Sequence, residues 1–139
     1  MKTLAIVALT RRFTFSAAHR YGRPGWSEAE NRARFGPLAT IHGHTYTLEV
    51  TLRGPVDPRT GMVADPAEVN RLVADAVLAR FDHAFLNDDP AFAEGTVPTT
   101  ENLVLVIWDV LADKLGTDRL SVVRLWEDPT LGVEYRGEP

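Results

Sequence analysis

The fold is decided by the segment Thr40-Ile41-His42-Gly43-His44-Thr45-Tyr46-Thr47-Leu48-Glu49-Val50-Thr51-Leu52, whose residues alternate in polarity with a period of two. Such alternation predicts a β-strand, because successive side chains of a strand point to opposite faces. One face carries two histidines, a tyrosine and three aliphatic residues, and the other carries threonines and a glutamate. The sequence therefore predicts that His42 and His44 lie on the core face of this strand.

This pair of histidines indicates a metal site. Each buried ring nitrogen needs a partner, and one metal ion satisfies two rings on the same face at once. The alternative for either residue is a core histidine that is hydrogen-bonded to protein. A second predicted strand repeats the construction, because Phe13, Phe15 and Ala17 share a face that ends in His19. If the strands are neighbours, three imidazoles converge and leave a coordination position open, as in catalytic zinc sites.

The composition narrows the class of protein. The chain has 139 residues, 45% of them hydrophobic, which predicts a single domain over residues 1–139 with a packed core. A formal charge of −4 argues against a nucleic-acid partner, and the absence of a long apolar run argues against a membrane partner. The chain has no cysteine, which excludes thiolate ligands and agrees with a cytoplasmic location. Residues 1–9 are predicted to begin the first strand rather than to form a signal peptide.

Helix and strand signals follow one another along the rest of the chain. Asp65 as N-cap and Pro66 at the first helical position predict a helix that ends near Phe81. A second helix is predicted from Thr99 to Gly116, followed by strands over residues 120–127 and 133–136. The order ββααββ predicts an α+β fold with a four-stranded antiparallel sheet and two helices on one face.

Two irregular segments carry charged residues that core packing does not explain. The long connection after the first strand contains a capped turn or short helix near residues 27–31. It also carries a basic cluster, which either binds an anion or faces solvent, and which consists of Arg20, Arg23, Arg32 and Arg34. Asp82 and His83 follow the first long helix, either as a functional pair or as a backbone cap beside a surface histidine.

Six motifs occur along the chain in a fixed order. They are Phe15-Ser16-Ala17-Ala18-His19-Arg20, Glu30-Asn31 with Phe35-Gly36, His42-Gly43-His44-Thr45-Tyr46, Asp82-His83 with Leu86-Asn87, Pro98-Thr99-Thr100-Glu101-Asn102, and Glu127. Together they resemble the 6-pyruvoyl-tetrahydropterin synthase family, which includes the bacterial 6-carboxy-tetrahydropterin synthases of queuosine biosynthesis. The resemblance implies the tunnelling fold, in which subunits assemble into trimers or hexamers, the sheets close a β-barrel, and active sites lie between subunits.

The resemblance also implies the chemistry. It implies a lyase that acts on a small-molecule substrate, 7,8-dihydroneopterin triphosphate, with a zinc ion held by His19, His42 and His44. Zinc would hold the side-chain hydroxyls of the substrate and lower their pKa. The family's proton-transfer pair corresponds to Asp82 and His83, in which the aspartate orients the imidazole.

The pterin ring has its own set of implied contacts. The family's pterin-anchoring glutamate corresponds to Glu127, and Thr99, Thr100 and Glu101 fall where the family contacts the ring. The residues themselves agree, because Glu127 ends a strand among apolar neighbours, where a carboxylate needs a strong donor. A carboxylate can accept two parallel hydrogen bonds from the amino group and ring N–H of a pterin.

One position departs from the family's pattern. The family has a cysteine that acts as a base four residues before the first histidine of the His-Gly-His motif, and this chain has Leu38 there. Leucine cannot transfer a proton, so either Glu28, Glu30 or His83 replaces the base, or the chain binds zinc and a pterin or purine without turning it over. A purely structural protein would leave three converging imidazoles unexplained.

Overall fold

The computed structural model describes residues 4–139 and contains one five-stranded sheet of strand order β3-β1-β2-β4-β5. The strands are β1 (Ile6–His19), β2 (His42–Pro55), β3 (Ala84–Phe85), β4 (Leu120–Asp128) and β5 (Leu131–Tyr135). The helices are α1 (Glu28–Phe35), α2 (Pro66–Val73), which continues through a π-helical turn (Ala74–Leu78) into α3 (Ala79–Phe81), and α4 (Thr100–Leu115).

The alternation that predicted β2 is confirmed by its burial. Tyr46, Leu48, Val50 and Leu52 are fully buried on one face, and this face packs in one core with residues of the helices α2 and α4. Burial of each large aliphatic side chain contributes about 1.5–3 kcal/mol, so this face is a main source of stability. Threonines and Glu49 occupy the opposite face, as the pattern predicted.

The α+β class is confirmed, but the predicted four-stranded, wholly antiparallel sheet with two helices is wrong. The additional strand β3 runs parallel to β1, with Ala84 opposite Ala17. It has only two residues, too few for a periodic signal, and it is held by backbone hydrogen bonds to β1. The segment predicted as a capped turn or short helix is α1, a third helical element, which contributes no buried residue.

The helix boundaries follow the predicted caps. Asp65 accepts a hydrogen bond from the first turn of α2, and Thr99 does the same for α4 through the N–H of Asn102. Such caps contribute about 1 kcal/mol each. The helix α4 ends at Gly116, whose φ of +85° favours glycine. Within residues 4–139, no helix is long and apolar enough to cross a membrane.

The register of β1 against β2 brings the two predicted histidine faces together. The strands pair antiparallel from Ile6 opposite Pro55 to His19 opposite His42, and Ala17 lies opposite His44. The predicted neighbouring of the two strands is therefore confirmed. The first three residues of the segment predicted to begin β1 lie outside the described residues, and β1 begins at Ile6.

Candidate active site

Three histidines converge at the end of the β1–β2 pair. One ring nitrogen of each of His19, His42 and His44 lies within 4.8 Å of the other two. The ring centroids of His19 and His42 are 4.5 Å apart, and those of His19 and His44 are 5.1 Å apart. The structure therefore brings together the three residues that the sequence singled out as candidate metal ligands.

Backbone carbonyls determine which nitrogen of two of these histidines faces the others. The Nδ1 of His19 lies 2.8 Å from the carbonyl oxygen of Pro98, and the Nδ1 of His42 lies 2.7 Å from that of Thr40. A carbonyl oxygen only accepts, so the proton of each neutral ring is on Nδ1 and the lone pair is on Nε2. Carbonyl partners of this kind orient histidines that ligate metals.

The Nε2 atoms of His19, His42 and His44 are buried and have no hydrogen-bond partner among residues 4–139. A buried polar atom without a partner costs about 1–3 kcal/mol, so three adjacent ones indicate a missing ligand. Burial lowers the pKa of His19, and the neighbouring imidazoles lower it further, which favours the neutral ring that a metal requires. Three neutral imidazoles are a donor set that fits zinc.

A carboxylate adjoins the histidines. Glu127, at the end of β4, accepts a hydrogen bond of 2.5 Å from the buried hydroxyl of Thr100 on its Oε1. Its Oε2 lies 3.5 Å from the Nε2 of His44, and the side chain is only 15% exposed. Thr100 stands in the first turn of α4, so this helix fixes the carboxylate beside the histidines.

The other two predicted ring contacts flank Thr100. Thr99 caps α4 through its side chain, and Glu101 is exposed in the first turn. The structure therefore places all three residues of this motif at one helix end, and Thr100 among them contacts Glu127.

Asp82 and His83 lie at the surface, beside the backbone of β1. Asp82 accepts the N–H of Ser16 at 2.9 Å, and its Oδ1 lies 3.1 Å from the Nδ1 of His83. The His83 side chain is 84% exposed, and its backbone has a φ of +64°. Within the described chain, no hydrogen bond joins His83 to the three converging histidines. The structure therefore makes the predicted pair but does not bring it to the histidine nitrogens of the same chain.

Tyr21 is a site residue in the long connection after β1, and no role was predicted for it. Its half-buried ring meets the ring of His19 with centroids 5.3 Å apart and that of His42 at 6.1 Å. Burial, together with the negative charges of Glu127 and Glu101, raises the pKa of Tyr21 to about 12. Tyr21 follows His19 by two residues, so extension of the β1 alternation by one step would have found it.

Leu38, which occupies the position where the resemblance implies a cysteine, lies next to this tyrosine. The carbonyl oxygen of Leu38 accepts the N–H of Tyr21 at 2.8 Å, and the leucine is 43% exposed. Tyr21 also lines a cavity of about 360 Å³, together with Glu28. Glu30 is exposed on α1, and its backbone N–H is bound by the cap residue Ser27.

The fold and the site define an α+β protein with a partly buried three-histidine cluster beside a carboxylate, which is a candidate small-molecule enzyme. The comparisons identify the particular family. The 6-pyruvoyl tetrahydropterin synthase family model matches residues 8–138. The chain belongs to this family.

Individual relatives agree with the family match. The chain is 41% identical over 140 residues to a 6-pyruvoyl tetrahydrobiopterin synthase of Drosophila melanogaster, covering 99% of this chain and 83% of that protein. The synthase of Dictyostelium discoideum is 39% identical over 132 residues, covering 95% and 97%. The structure of the Caenorhabditis elegans 6-pyruvoyl tetrahydropterin synthase superposes with a TM-score of 0.89 at 35% identity, covering 99% and 100%.

Proposed function

We propose that this chain is a zinc-dependent lyase that converts 7,8-dihydroneopterin triphosphate into a 6-pyruvoyl- or 6-carboxy-tetrahydropterin, in pterin or queuosine biosynthesis. Family membership supports a pterin-synthesising enzyme. One observation carries the zinc dependence, namely the three buried and unpartnered Nε2 atoms of His19, His42 and His44. Zinc held there would act as a Lewis acid toward a substrate hydroxyl.

Glu127 is the proposed anchor of the pterin ring. One carboxylate oxygen is fixed by Thr100, and the other has no hydrogen bond from the residues that the structure describes. A carboxylate that is largely shielded from water binds the amino group and ring N–H of a pterin more strongly than an exposed one does. Thr99 and Glu101 would contact the same ring, because they flank Thr100 at the start of α4.

The proton-transfer step needs a group other than Leu38. Glu28 is one candidate within the chain, because it lines the same cavity as Tyr21. Asp82 holds the Nδ1 of His83, which leaves the exposed Nε2 free to take a proton. His83 would act in an active site that lies between subunits, and Glu30, which is exposed on α1, is the third candidate.

The proposed assembly is a homotrimer or homohexamer. Most of the outer edge of β1 and the outer edge of β5 have no partner strand among the described residues. These edges carry the exposed hydrophobic residues Ile6, Val7 and Leu131. Unpaired apolar edges favour pairing with another chain, which closure of a barrel supplies.

The test is incubation of purified protein of known metal content with 7,8-dihydroneopterin triphosphate, with mass spectrometry of the released triphosphate and pterin. Product formation that is lost on zinc removal and restored by zinc supports the lyase. Absence of product, with zinc bound and pterin affinity retained, contradicts it and favours the second candidate.

The second candidate is a protein that binds zinc and a pterin or purine without turnover, and Leu38 is the observation that favours it. We expect Leu38→Cys to gain turnover if only the thiol is missing, because the leucine is half-exposed and adjoins Tyr21. Steady-state kinetics of both proteins test this. Equal turnover of the wild type and the variant would mean that the base lies elsewhere.

A further inference from the structure

A cavity of about 360 Å³ adjoins the histidine cluster on the side of the loop that follows β1. Tyr21 is the wall between them, because it lines the cavity and its ring also contacts His19 and His42. Tyr21 therefore borders both the histidine cluster and the cavity.

Three arginines line this cavity, namely Arg20, Arg23 and Arg32. None of them has an ion-pair partner within residues 4–139, whereas other arginines of the chain, such as Arg80 and Arg124, are paired with carboxylates. The planar guanidinium group binds phosphate oxygens through two parallel hydrogen bonds. The cavity therefore collects three guanidinium groups that form no ion pair among the described residues.

Two asparagines fix the backbone of two of these arginines. Asn87 accepts the N–H of Arg20 at 2.9 Å and donates to its carbonyl oxygen at 2.9 Å. Asn31 accepts the N–H of Arg23 at 2.9 Å and donates to its carbonyl oxygen at 3.3 Å. Each asparagine side chain thus binds both the backbone N–H and the backbone carbonyl of one arginine. This pre-organisation lowers the entropy cost of binding a ligand at the cavity rim.

A series of aromatic contacts links Arg23 to Tyr21. The guanidinium of Arg23 lies 5.6 Å from the ring centroid of Trp26, and Trp26 stacks on Phe35 at 6.1 Å. Phe35 meets Tyr21 edge-on at 6.0 Å. A guanidinium that rests on an aromatic face keeps its N–H groups available for an anion.

We propose that this cavity is an oligophosphate-binding site in which Arg20, Arg23 and Arg32 bind successive phosphate groups. The identification of its occupant as the triphosphate of the substrate rests on the proposed function. Glu28 and Asp88 also line the cavity and offset part of the positive charge. A single phosphate therefore gains little, whereas a chain of three phosphates can contact more than one guanidinium group and carries more charge than the two carboxylates.

The test is calorimetric titration of the metal-free protein with inorganic tripolyphosphate and with orthophosphate. We expect tripolyphosphate to bind more tightly, and Arg23→Gln and Arg32→Gln each to weaken it about tenfold. Arg34→Gln is the matched control, because Arg34 lies on the same helix as Arg32 but does not line the cavity. It should change the affinity by less than about twofold.

A substitution that removes a negative charge from the cavity should have the opposite effect on binding. Asp88→Asn removes a negative charge from the cavity wall and should strengthen tripolyphosphate binding about two- to threefold. The inference is overturned if Arg23→Gln and Arg32→Gln bind tripolyphosphate as the wild type does, or if Arg34→Gln weakens binding equally.

The titration contains neither pterin nor metal, so it is independent of the lyase. Wild-type protein that binds tripolyphosphate through these arginines but releases no pterin product keeps the inference and contradicts the proposed function. Turnover with an unchanged KM in Arg23→Gln and Arg32→Gln supports the proposed function and contradicts the inference.

Discussion

At the scale of single residues, the protonation of the histidines follows from two backbone carbonyls. Pro98 lies far from His19 along the chain, yet its carbonyl oxygen holds the Nδ1 of that ring, and Thr40 does the same for His42. Without these acceptors either nitrogen could carry the proton. The two carbonyls thus leave the lone pairs of His19 and His42 on Nε2, facing the other histidines.

We expect His42→Ala to weaken zinc binding at least about tenfold, because a direct ligand contributes more than the groups that hydrogen-bond to ligands, whose loss costs about 10–100-fold. The measurement is the zinc content after dialysis against a weak chelator. His83→Ala is the control, since this histidine is 84% exposed and no hydrogen bond within the described residues joins it to the cluster. Full zinc occupancy in His42→Ala would disprove the assignment of the ligands.

At the scale of elements, one ion pair ties the end of α3 to the segment before α4. The Nε and Nη2 atoms of Arg80 donate to the two oxygens of Asp89 at 2.8 and 2.7 Å. The Asp89 side chain is only 10% exposed. This bidentate pair with Arg80 holds the pKa of Asp89 below its ordinary value.

We expect Asp89→Asn to lower the free energy of unfolding at pH 7 by about 1–3 kcal/mol, since a hydrogen-bonded charge pair is lost. The folded-state pKa of Asp89 lies below the unfolded one, so its contribution is complete above about pH 4 and is lost as pH falls through the folded pKa. Urea unfolding between pH 7 and pH 3.5 measures this, and the difference between the proteins should shrink toward the acid end.

Asp57→Asn is the matched control for that substitution. Asp57 pairs with Arg59 at the surface, where solvent screens the interaction. Asp57→Asn should therefore lower the free energy of unfolding at pH 7 by less than Asp89→Asn does. An equal decrease in the free energy of unfolding in both variants would show that burial does not strengthen the Arg80–Asp89 pair.

The β4–β5 hairpin depends on a glycine opposite a tryptophan. Gly132 pairs with Trp126, and a Cβ at position 132 would overlap the indole ring. The ring cannot shift freely, because its Nε1 donates to Glu49 at 2.8 Å. We expect Gly132→Ala to destabilise the protein by about 1–3 kcal/mol in urea unfolding, as overpacking does.

Gly25→Ala makes the same chemical change where no atom lies within 4 Å of the new Cβ. It should be neutral or slightly stabilising, because alanine restricts the unfolded chain more than glycine does. A similar loss of stability in both variants would mean that the Trp126 contact is not the cause.

At the scale of the whole molecule, the sheet of the described chain has open edges and exposed apolar residues on them. Light scattering should give three or six times the monomer mass. Val7→Glu combined with Leu131→Glu should lower the mass, because charge on an edge strand opposes strand pairing. Leu105→Glu, at an equally exposed position on α4, should leave it unchanged. A monomeric wild type would disprove the assembly.

The sequence by itself determined the local elements and the family. Polar alternation specified both long strands and their histidine faces, and side-chain caps specified where α2 and α4 begin, because these signals depend on residues only a few positions apart. The ordered motifs gave the family resemblance that the comparisons confirmed. The strand β3 escaped detection because two residues contain no period.

Only the tertiary structure decided how distant side chains combine. The register from Ile6 to His19 set three imidazoles together, and the packing of α4 placed Thr100 against Glu127. Local pattern could place Tyr21 on the histidine face, but it could not show the cavity that Tyr21 lines together with Arg20, Arg23 and Arg32. These arrangements depend on strand pairing and on packing over the whole core. The free energy of that packing is distributed over many residues, so no single segment of sequence specifies it.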